Sequence, residues 1–258
     1  MPHFLERMLF PRRVTSNGDV APKGFRTQLY QWLFERGWSV PWIYSPERCA
    51  RFWDVPAGLQ NASNRPEDYA FGPTGIMQYV LRQIAPWVPM TAPVLEIGCN
   101  AGSKLEQFRK AGFPSLSGVE MNPACFDVMR QAFPELFGGA TLYAGSAEQI
   151  LPTLDSGGFS FVYSISSIQH VHPAHHRVFD EIARVCKDYL LTLEIEWAGG
   201  PYFFPRNYRR IFESRGFAQL SAVLICHEVC PEPELSAYWG HIMRLFVKKN
   251  PRKPLVSP

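Results

Sequence analysis

The stretch PVLEIGCNAGSKLEQFRKAGFPSLSGVE, from Pro93 to Glu120, decides the fold. It opens with a short apolar run, VLEI, and turns at the glycine-containing segment GCNAG. Leu105 and Phe108 in the next segment are spaced as on one face of a helix, and Gly112 ends that helix. A second apolar run leads to the acid that closes the stretch. The order strand, turn, helix, strand predicts a βαβ unit with a ligand site at its first turn.

The glycines and the closing acid indicate the kind of ligand. Gly98 and Gly102 allow a tight turn and a close approach of the backbone, and free N–H groups at the start of the helix favour an anion. Glu120 stands at the carboxyl end of the second strand, where a carboxylate can accept hydrogen bonds from both hydroxyls of a ribose. These features predict a cofactor that contains adenosine. A dinucleotide fingerprint needs glycine where Asn100 and Ser103 stand, so pyrophosphate binding is disfavoured.

The segment Glu96–Gly102 has the pattern E-x-G-x-N-x-G and is followed by Glu120. It resembles motif I and the ribose-binding acid of class I S-adenosylmethionine-dependent methyltransferases, in particular those of types 11 and 12. The resemblance implies an α/β fold with a Rossmann-like, seven-stranded, mostly parallel sheet and helices on both faces. It also implies S-adenosylmethionine as cofactor, with the two glycines against its amino-acid end, Glu120 on its ribose and Glu96 reaching its ammonium through water. The cofactor-binding residues expected from the resemblance are Glu96, Gly98, Asn100, Gly102, Glu120, Met121, Ser146, Ala147 and Ser164.

Two of these assignments concern the later strands. The family commonly has an aspartate for the adenine after the third strand, whereas this chain has Ser146, Ala147 and Glu148 there. The resemblance therefore transfers the adenine contact to the Ser146 side chain or to the backbone of Ala147. Ser164 ends the fourth predicted strand, where cofactor and acceptor meet in the family.

Composition bounds the protein class. The 258 residues are 46% hydrophobic and carry a formal net charge of +3, which describes a folded protein without a strong basic surface for nucleic acid. We expect an aromatic-rich helical or irregular extension over 1–90 that covers the acceptor site, a methyltransferase domain over 91–250, and a tail over 251–258. The six cysteines form no disulfide framework and no secretory signal is recognisable, so we expect a cytoplasmic protein without a transmembrane segment. Residues 1–14 place apolar side chains at helical spacing beside arginines, which favours packing on a protein surface, with peripheral membrane contact as the alternative.

Candidate catalytic residues follow the fourth and fifth predicted strands. His170 is the candidate general base toward a hydroxyl acceptor, because an unperturbed imidazole titrates near neutral pH. The alternative is that His170 is a packed residue at the strand-to-helix junction. Glu194 and Glu196 are two residues apart, so both are expected to point into the crevice and to bind or deprotonate acceptor hydroxyls. A solvated strand end is the alternative for this pair. The candidate substrate-binding residues are Tyr69, Arg206 and Tyr208.

A metal site is not expected. Cys226, His227, Cys230 and His241 are residue types that bind zinc, but they lack a C-x-x-C knuckle and three of them lie in probable strands. Packed positions in and beside those strands are the favoured interpretation.

The expected function is methyl transfer to a small-molecule or saccharide acceptor, with oxygen as the methylated atom. The chain has no D/N-P-P-Y/F motif after its fourth strand, which argues against nucleobase or amide nitrogen as the acceptor. The E-I-E, P-R-N-Y and F-E-x-x-G-F segments at 194–217 resemble a bacterial subgroup associated with surface polysaccharides. Two alternatives remain: an S-adenosylmethionine-binding regulator or scaffold without catalysis, and a nucleotide-binding oxidoreductase. The oligomeric state is not predicted.

Overall fold

The computed structural model describes residues 25–41, 43–54, 65–71, 75–197, 199–230 and 237–249. Its centre is a seven-stranded sheet in the order β3-β2-β1-β4-β5-β7-β6. The strands are β1 Val94–Ile97, β2 Leu116–Glu120, β3 Thr141–Ala144, β4 Phe159–Ile165, β5 Cys186–Glu194, β6 Phe217–Leu224 and β7 Ile242–Lys248. β1 to β5 are parallel, and β7 runs antiparallel to both β5 and β6. The predicted fold class, a seven-stranded mostly parallel sheet, is confirmed.

Helices pack on both faces of this sheet. The described α-helices are α1 Phe25–Phe34, α2 Pro46–Trp53, α3 Pro66–Ala70, α4 Gly75–Ile84, α5 Ser103–Lys110, α6 Ala124–Ala132, α7 Pro134–Gly139, α8 Ala147–Ile150, α9 Val178–Val185 and α10 Tyr208–Glu213. Successive strand side chains point to opposite faces, so β4 places Phe161 and Tyr163 in one buried cluster and Val162 in the other. The first cluster is covered by α4 to α7, and the second by α9 and α10. Both faces of the central strands are therefore buried, as a parallel sheet requires.

The described part of the N-terminal extension packs against the loop that follows β5. Phe34 of α1 meets Phe204 edge to face at a centroid distance of 5.7 Å. The Gln31 side chain donates a hydrogen bond of 2.8 Å to the backbone carbonyl of Glu196. Glu35 accepts hydrogen bonds from the Asn207 backbone N–H at 2.9 Å and from the Arg210 side chain at 2.8 Å. These contacts hold α1 beside the carboxyl edge of the sheet.

Two segments named in the sequence analysis lie outside the described residues. They are the N-terminal segment 1–24, with its predicted surface helix, and the tail from residue 250 onward. Within the described ranges, no helix combines the length and the apolar character that crossing a membrane would take.

Candidate active site

A pocket of about 570 Å³ opens at the edge of the sheet where the parallel strands end. Its lining includes residues directly after each of the first five strands, namely Gly98, Met121, Gly145, Ser166 and Ile195. His241 joins them because β7 is antiparallel and therefore begins at the edge where β5 ends. This edge is where open α/β sheets bind their ligands.

The glycine turn after β1 forms one wall of the pocket. Gly98 has φ +74 and Asn100 has φ +46, so the chain passes through the left-handed region twice within three residues. A Cβ atom at Gly98 would stand 2.0 Å from the Oγ atom of Ser167, in the turn after β4. The two turns therefore touch, and only glycine permits that approach.

Gly102 plays a different part from the predicted one. It has φ +80, but it does not line the pocket, and a Cβ atom there would stand 2.7 Å from the Cε atom of Met129 in α6. Because Gly102 has no side chain and adopts this conformation, the first turn of α5 can pack directly on α6 and α7. We therefore assign it to helix packing rather than to direct contact with a cofactor.

Gly98→Ala is expected to disrupt the contact between the turn after β1 and the turn after β4. A non-glycine residue in the left-handed region costs about 1–2 kcal/mol, and displacement of Ser167 adds to this. We expect the free energy of unfolding to fall by at least that amount and the affinity for S-adenosylhomocysteine to fall at least tenfold. Urea denaturation and calorimetric titration measure the two effects. Gly138→Ala is the matched control, because its Cβ atom would meet nothing within 4 Å; equal losses in both variants would contradict the assignment.

Glu120 is held in place by two backbone donors. Its Oε2 atom accepts a hydrogen bond of 2.9 Å from the Asn100 N–H, and its Oε1 atom accepts one of 2.9 Å from the Asn122 N–H. The side chain is 9% exposed, and burial raises its pKa even though these backbone donors favour the ionised form. The carboxylate lines the pocket with lone pairs left over, which is the arrangement that a ribose diol needs.

Glu96 lies behind the pocket and not in its lining. It is fully buried in β1 and accepts a hydrogen bond of 2.8 Å from the Tyr163 hydroxyl. Burial raises the pKa of Glu96 to about 7, although the charge of Lys104 and the Tyr163 hydroxyl both lower it. Its described hydrogen bond joins β1 to β4 behind the pocket.

Lys104 is a site residue that the sequence analysis missed. It lies in the first turn of α5, lines the pocket, and is the one lysine or arginine in the lining as far as the chain is described. A cation beside the start of a helix suits a carboxylate, such as that of a bound amino acid. The pattern G-S-K after the turn was the available signal, but a lysine in a first helical turn usually faces solvent.

The remaining predicted cofactor residues divide into two groups. Met121, Ser146 and Ala147 line the pocket after β2 and β3, together with Asn122 and Glu148. Ser164 does not: it is buried in β4, and its hydroxyl donates a hydrogen bond of 2.7 Å to Glu194. The next residues along the chain, 165–172, line the pocket in its place.

His170 lines the pocket as a neutral imidazole. Gln169 accepts a hydrogen bond of 2.7 Å from the Ile195 N–H through its Oε1 atom, so its amide nitrogen faces the His170 Nε2 atom at 3.3 Å. The His170 Nδ1 atom lies 3.0 Å from the Tyr202 carbonyl and carries the proton, because a carbonyl only accepts. Burial lowers the pKa of His170 to about 4. Its basic nitrogen is thus occupied by an amide donor, which makes it a poor proton acceptor.

Aromatic side chains form the wall next to His170. The Trp53 and Phe203 rings each lie 4.3 Å from the imidazole, centroid to centroid. Phe52 stacks on Tyr202 at 4.3 Å. All four rings line the pocket, so the extension contributes Phe52 and Trp53 directly to it. Tyr69, from the predicted substrate-binding set, is also in the lining, on the side of Lys104 and Glu120.

The structure does not bring Glu194 and Glu196 to the pocket, in contrast to the sequence expectation. Glu194 is fully buried and accepts hydrogen bonds from the Ser164 hydroxyl at 2.7 Å and from the Ser167 and Gln169 N–H groups at 3.3 Å each. Burial raises its pKa to about 7. The buried Glu194 side chain therefore fixes the conformation of the turn after β4 through these hydrogen bonds.

Glu196 is paired with a buried arginine on β7. Its two carboxylate oxygens accept hydrogen bonds of 2.6 Å and 2.8 Å from the Nε and Nη2 atoms of Arg244. The exposed fractions of the two residues are 2% and 0%. This bidentate ion pair joins the segment after β5 to β7. Because both oxygens bind Arg244 outside the pocket, the carboxylate is not placed to contact an acceptor.

Arg206 and Tyr208 also lie outside the lining. Arg206 is fully buried, donates hydrogen bonds to the carbonyls of Val171 at 2.6 Å and Phe204 at 3.3 Å, and sits 5.2 Å over the Phe179 ring. Tyr208 is buried in the cluster formed with α9. Arg206 thus connects the segments after β4 and β5, Tyr208 packs α10 on α9, and neither residue lines the pocket.

In the described ranges, no group of three or more His, Cys, Asp or Glu side chains is arranged to hold an ion. His241, considered above with the zinc-like residue types, contacts Ser166 and Tyr238 instead.

Comparison with known proteins agrees with the fold. Residues 94–189 match a family model described as a methyltransferase domain. Comparison with curated protein sequences gives no significant match. Many solved structures share the fold.

Three of these structures illustrate the likeness. Magnesium protoporphyrin IX methyltransferase from Synechocystis PCC 6803, with bound S-adenosylhomocysteine, is 12% identical over 79% of this chain and 94% of its own, with a TM-score of 0.54. An S-adenosylmethionine-dependent methyltransferase from Mesorhizobium loti is 14% identical over 67% of this chain and 99% of its own, with a TM-score of 0.53. The 1,6-didemethyltoxoflavin-N1-methyltransferase from Burkholderia thailandensis is 13% identical over 68% of this chain and 78% of its own, with a TM-score of 0.52. At these identities the likeness shows the fold, and the family model shows the domain. Residues 94–189 therefore carry a methyltransferase domain, and together with the shared fold this supports S-adenosylmethionine as the cofactor.

Proposed function

We propose that this enzyme transfers a methyl group to a hydroxyl of a small molecule or saccharide. The observation that supports this acceptor class is the composition of the pocket beyond the cofactor side. Its wall consists of Phe52, Trp53, Tyr202 and Phe203 around a neutral His170. Aromatic faces suit a planar ring or the apolar face of a sugar. A volume of about 570 Å³ lies in the range of about 300–1,000 Å³ typical of small-molecule sites.

The same residues argue against a nucleic acid acceptor. Lys104 is the single Lys or Arg among the described lining residues, and it lies on the cofactor side. The net charge of +3 offers no broad basic surface for a phosphate backbone. The names of two structural neighbours, a magnesium protoporphyrin IX methyltransferase and a 1,6-didemethyltoxoflavin-N1-methyltransferase, refer to small ring compounds and agree with this class of acceptor.

The chain's residues then have separate tasks. S-adenosylmethionine supplies a methyl group that its sulfonium charge already activates. Glu120 holds the ribose, Lys104 faces the carboxylate, and the segment 146–147 flanks the adenine. The aromatic wall excludes water and aligns the acceptor for in-line attack, which is the main contribution that a protein makes to such a displacement.

One observation favours a second candidate, a protein that binds S-adenosylmethionine but does not catalyse. His170, the base predicted from the sequence, has its basic nitrogen occupied by Gln169. A regulator or scaffold would need no better base. Detection of methyl transfer to any acceptor would dismiss this alternative.

Calorimetric titration of the purified protein with S-adenosylhomocysteine, in parallel with NAD, tests the cofactor assignment. We expect micromolar binding of S-adenosylhomocysteine and none of NAD, because the turn lacks the glycines of a pyrophosphate site. Binding of NAD alone would support the oxidoreductase alternative and overturn the proposal. A screen of phenols, sugars and nucleotide sugars with methyl-labelled S-adenosylmethionine then tests the acceptor class. The surface-polysaccharide acceptor and the cytoplasmic location stay predictions from the sequence.

A further inference from the structure

Ser166 and His241 form a hydrogen-bonded pair in the pocket wall. The Oγ atom of Ser166 lies 2.9 Å from the Nε2 atom of His241, and both residues line the pocket. We propose that this pair removes the proton from the acceptor hydroxyl. Ser166 contacts the acceptor and relays the proton, and His241 is the general base that takes it up. The proposal rests on the proposed function and identifies its proton acceptor.

The direction of the hydrogen bonds follows from the partners of His241. Its Nδ1 atom lies 3.0 Å from the Tyr238 carbonyl, which can only accept, so Nδ1 carries the proton. The Nε2 atom of the neutral ring then has a free lone pair. Ser166 must donate its hydroxyl proton to Nε2, which leaves the Ser166 oxygen free to accept from a substrate hydroxyl.

The backbone holds Ser166 in an unusual conformation. Ser166 directly follows β4 and has φ +55, in the left-handed region that non-glycine residues rarely adopt. Such conformations cost of order 1–3 kcal/mol and concentrate at functional sites. His241 is 5% exposed and precedes β7, whose antiparallel direction brings it to the end of β4 across the sheet edge.

His241 is better suited to this role than the nearby His170. The Nε2 atom of His170 accepts from the amide of Gln169, and an amide N–H does not exchange its proton with a substrate during catalysis. The Nε2 atom of His241 accepts from a hydroxyl, which can give one proton and take another. Of these two histidines, only His241 is thus connected to the pocket through a group that can relay a proton.

The step is balanced in atoms and charge. The acceptor oxygen forms a bond to the methyl carbon as the carbon–sulfur bond breaks and its electron pair stays on sulfur, giving neutral S-adenosylhomocysteine. The acceptor proton passes to Ser166, and the Ser166 proton passes to His241, giving an imidazolium. One positive charge in the pocket, the sulfonium, is replaced by another, so the reaction creates no additional charge inside the protein. Burial lowers the pKa of His241 to about 4, which keeps the ring neutral until that exchange.

The test compares His241→Gln with His227→Gln in the full chain. Glutamine can still accept the Ser166 hydrogen bond, but it cannot take up a proton at neutral pH. We expect kcat toward the best hydroxyl acceptor of the screen to fall at least about 100-fold, in the range assigned to general base catalysis, with S-adenosylhomocysteine affinity within about twofold of the wild type. His227 lies outside the pocket, so its variant should match the wild type in both measurements.

Chemical rescue separates proton transfer from a structural effect. In His241→Ala, added imidazole should raise kcat at least tenfold above its value without imidazole. Pyrrole has the same shape but no basic nitrogen, so it should leave kcat unchanged. Unchanged kcat in His241→Gln, or equal rescue by the two compounds, would overturn the relay and leave the proposed function intact. Absence of transfer to every hydroxyl by the wild type, with S-adenosylhomocysteine bound, would overturn both.

Discussion

Glu120→Gln is expected to weaken S-adenosylhomocysteine binding by about 100-fold, equivalent to about 3 kcal/mol. The Glu120 carboxylate accepts from two backbone N–H groups at 2.9 Å, one on each oxygen. Glutamine has one acceptor oxygen, so its NH₂ group must face either a backbone donor or the ribose. The loss of charge also weakens the hydrogen bonds to the ribose hydroxyls, each worth about 1.5–3 kcal/mol when one partner is charged.

Calorimetry on the variant measures this loss, and circular dichroism checks that the protein is folded. Glu135→Gln is the control, because that side chain is 75% exposed and pairs with Arg109 away from the pocket. Burial already disfavours the Glu120 charge in the folded protein, so the substitution should cost little stability. Unchanged affinity in Glu120→Gln would refute the ribose assignment.

Arg244→Met is expected to lower the free energy of unfolding by about 3–5 kcal/mol, the typical cost of removing one partner of a buried ion pair. The substitution leaves the Glu196 carboxylate, 2% exposed, without the guanidinium that now binds both of its oxygens. It also removes the hydrogen bond of 2.7 Å from Arg244 to Gln219 on β6. Urea denaturation of wild type and variant at neutral pH measures the difference.

The double variant Arg244→Met with Glu196→Met separates two contributions to the lost stability. One is the loss of the ion pair, and the other is the cost of burying the Glu196 carboxylate without a partner. Replacing both charges with apolar side chains is often neutral or stabilising, so we expect most of the lost stability to return. Arg130→Met is the control, because Arg130 pairs with Asp127 on the surface, where such a pair is worth about 0–1 kcal/mol. The double variant should keep its methyl transfer activity. A folded double variant without activity would restore Glu196 as a candidate for the chemistry.

The fold and part of the pocket lining could be predicted from local sequence. β1 occupies residues 94–97, the VLEI run of the opening stretch, because that run is short, apolar and bounded by turn residues. Glu120 reaches the pocket because a βαβ unit always brings the ends of its two strands to the same edge. α7 was missed because Pro134–Gly139 is short and carries two glycines, which are poor helix formers.

The acceptor side was decided by tertiary structure. The spacing of Glu194 and Glu196 gave no indication that one would cap the turn after β4 and the other would pair with Arg244 on β7. Likewise, nothing near His241 in the chain indicates that Ser166 is its partner. Periodicity states which face of its own element a side chain occupies, and a local motif states how the chain turns. The strand order decides which distant side chain a residue contacts. Here the antiparallel insertion of β7 beside β5 brings Arg244 to Glu196 and His241 to Ser166.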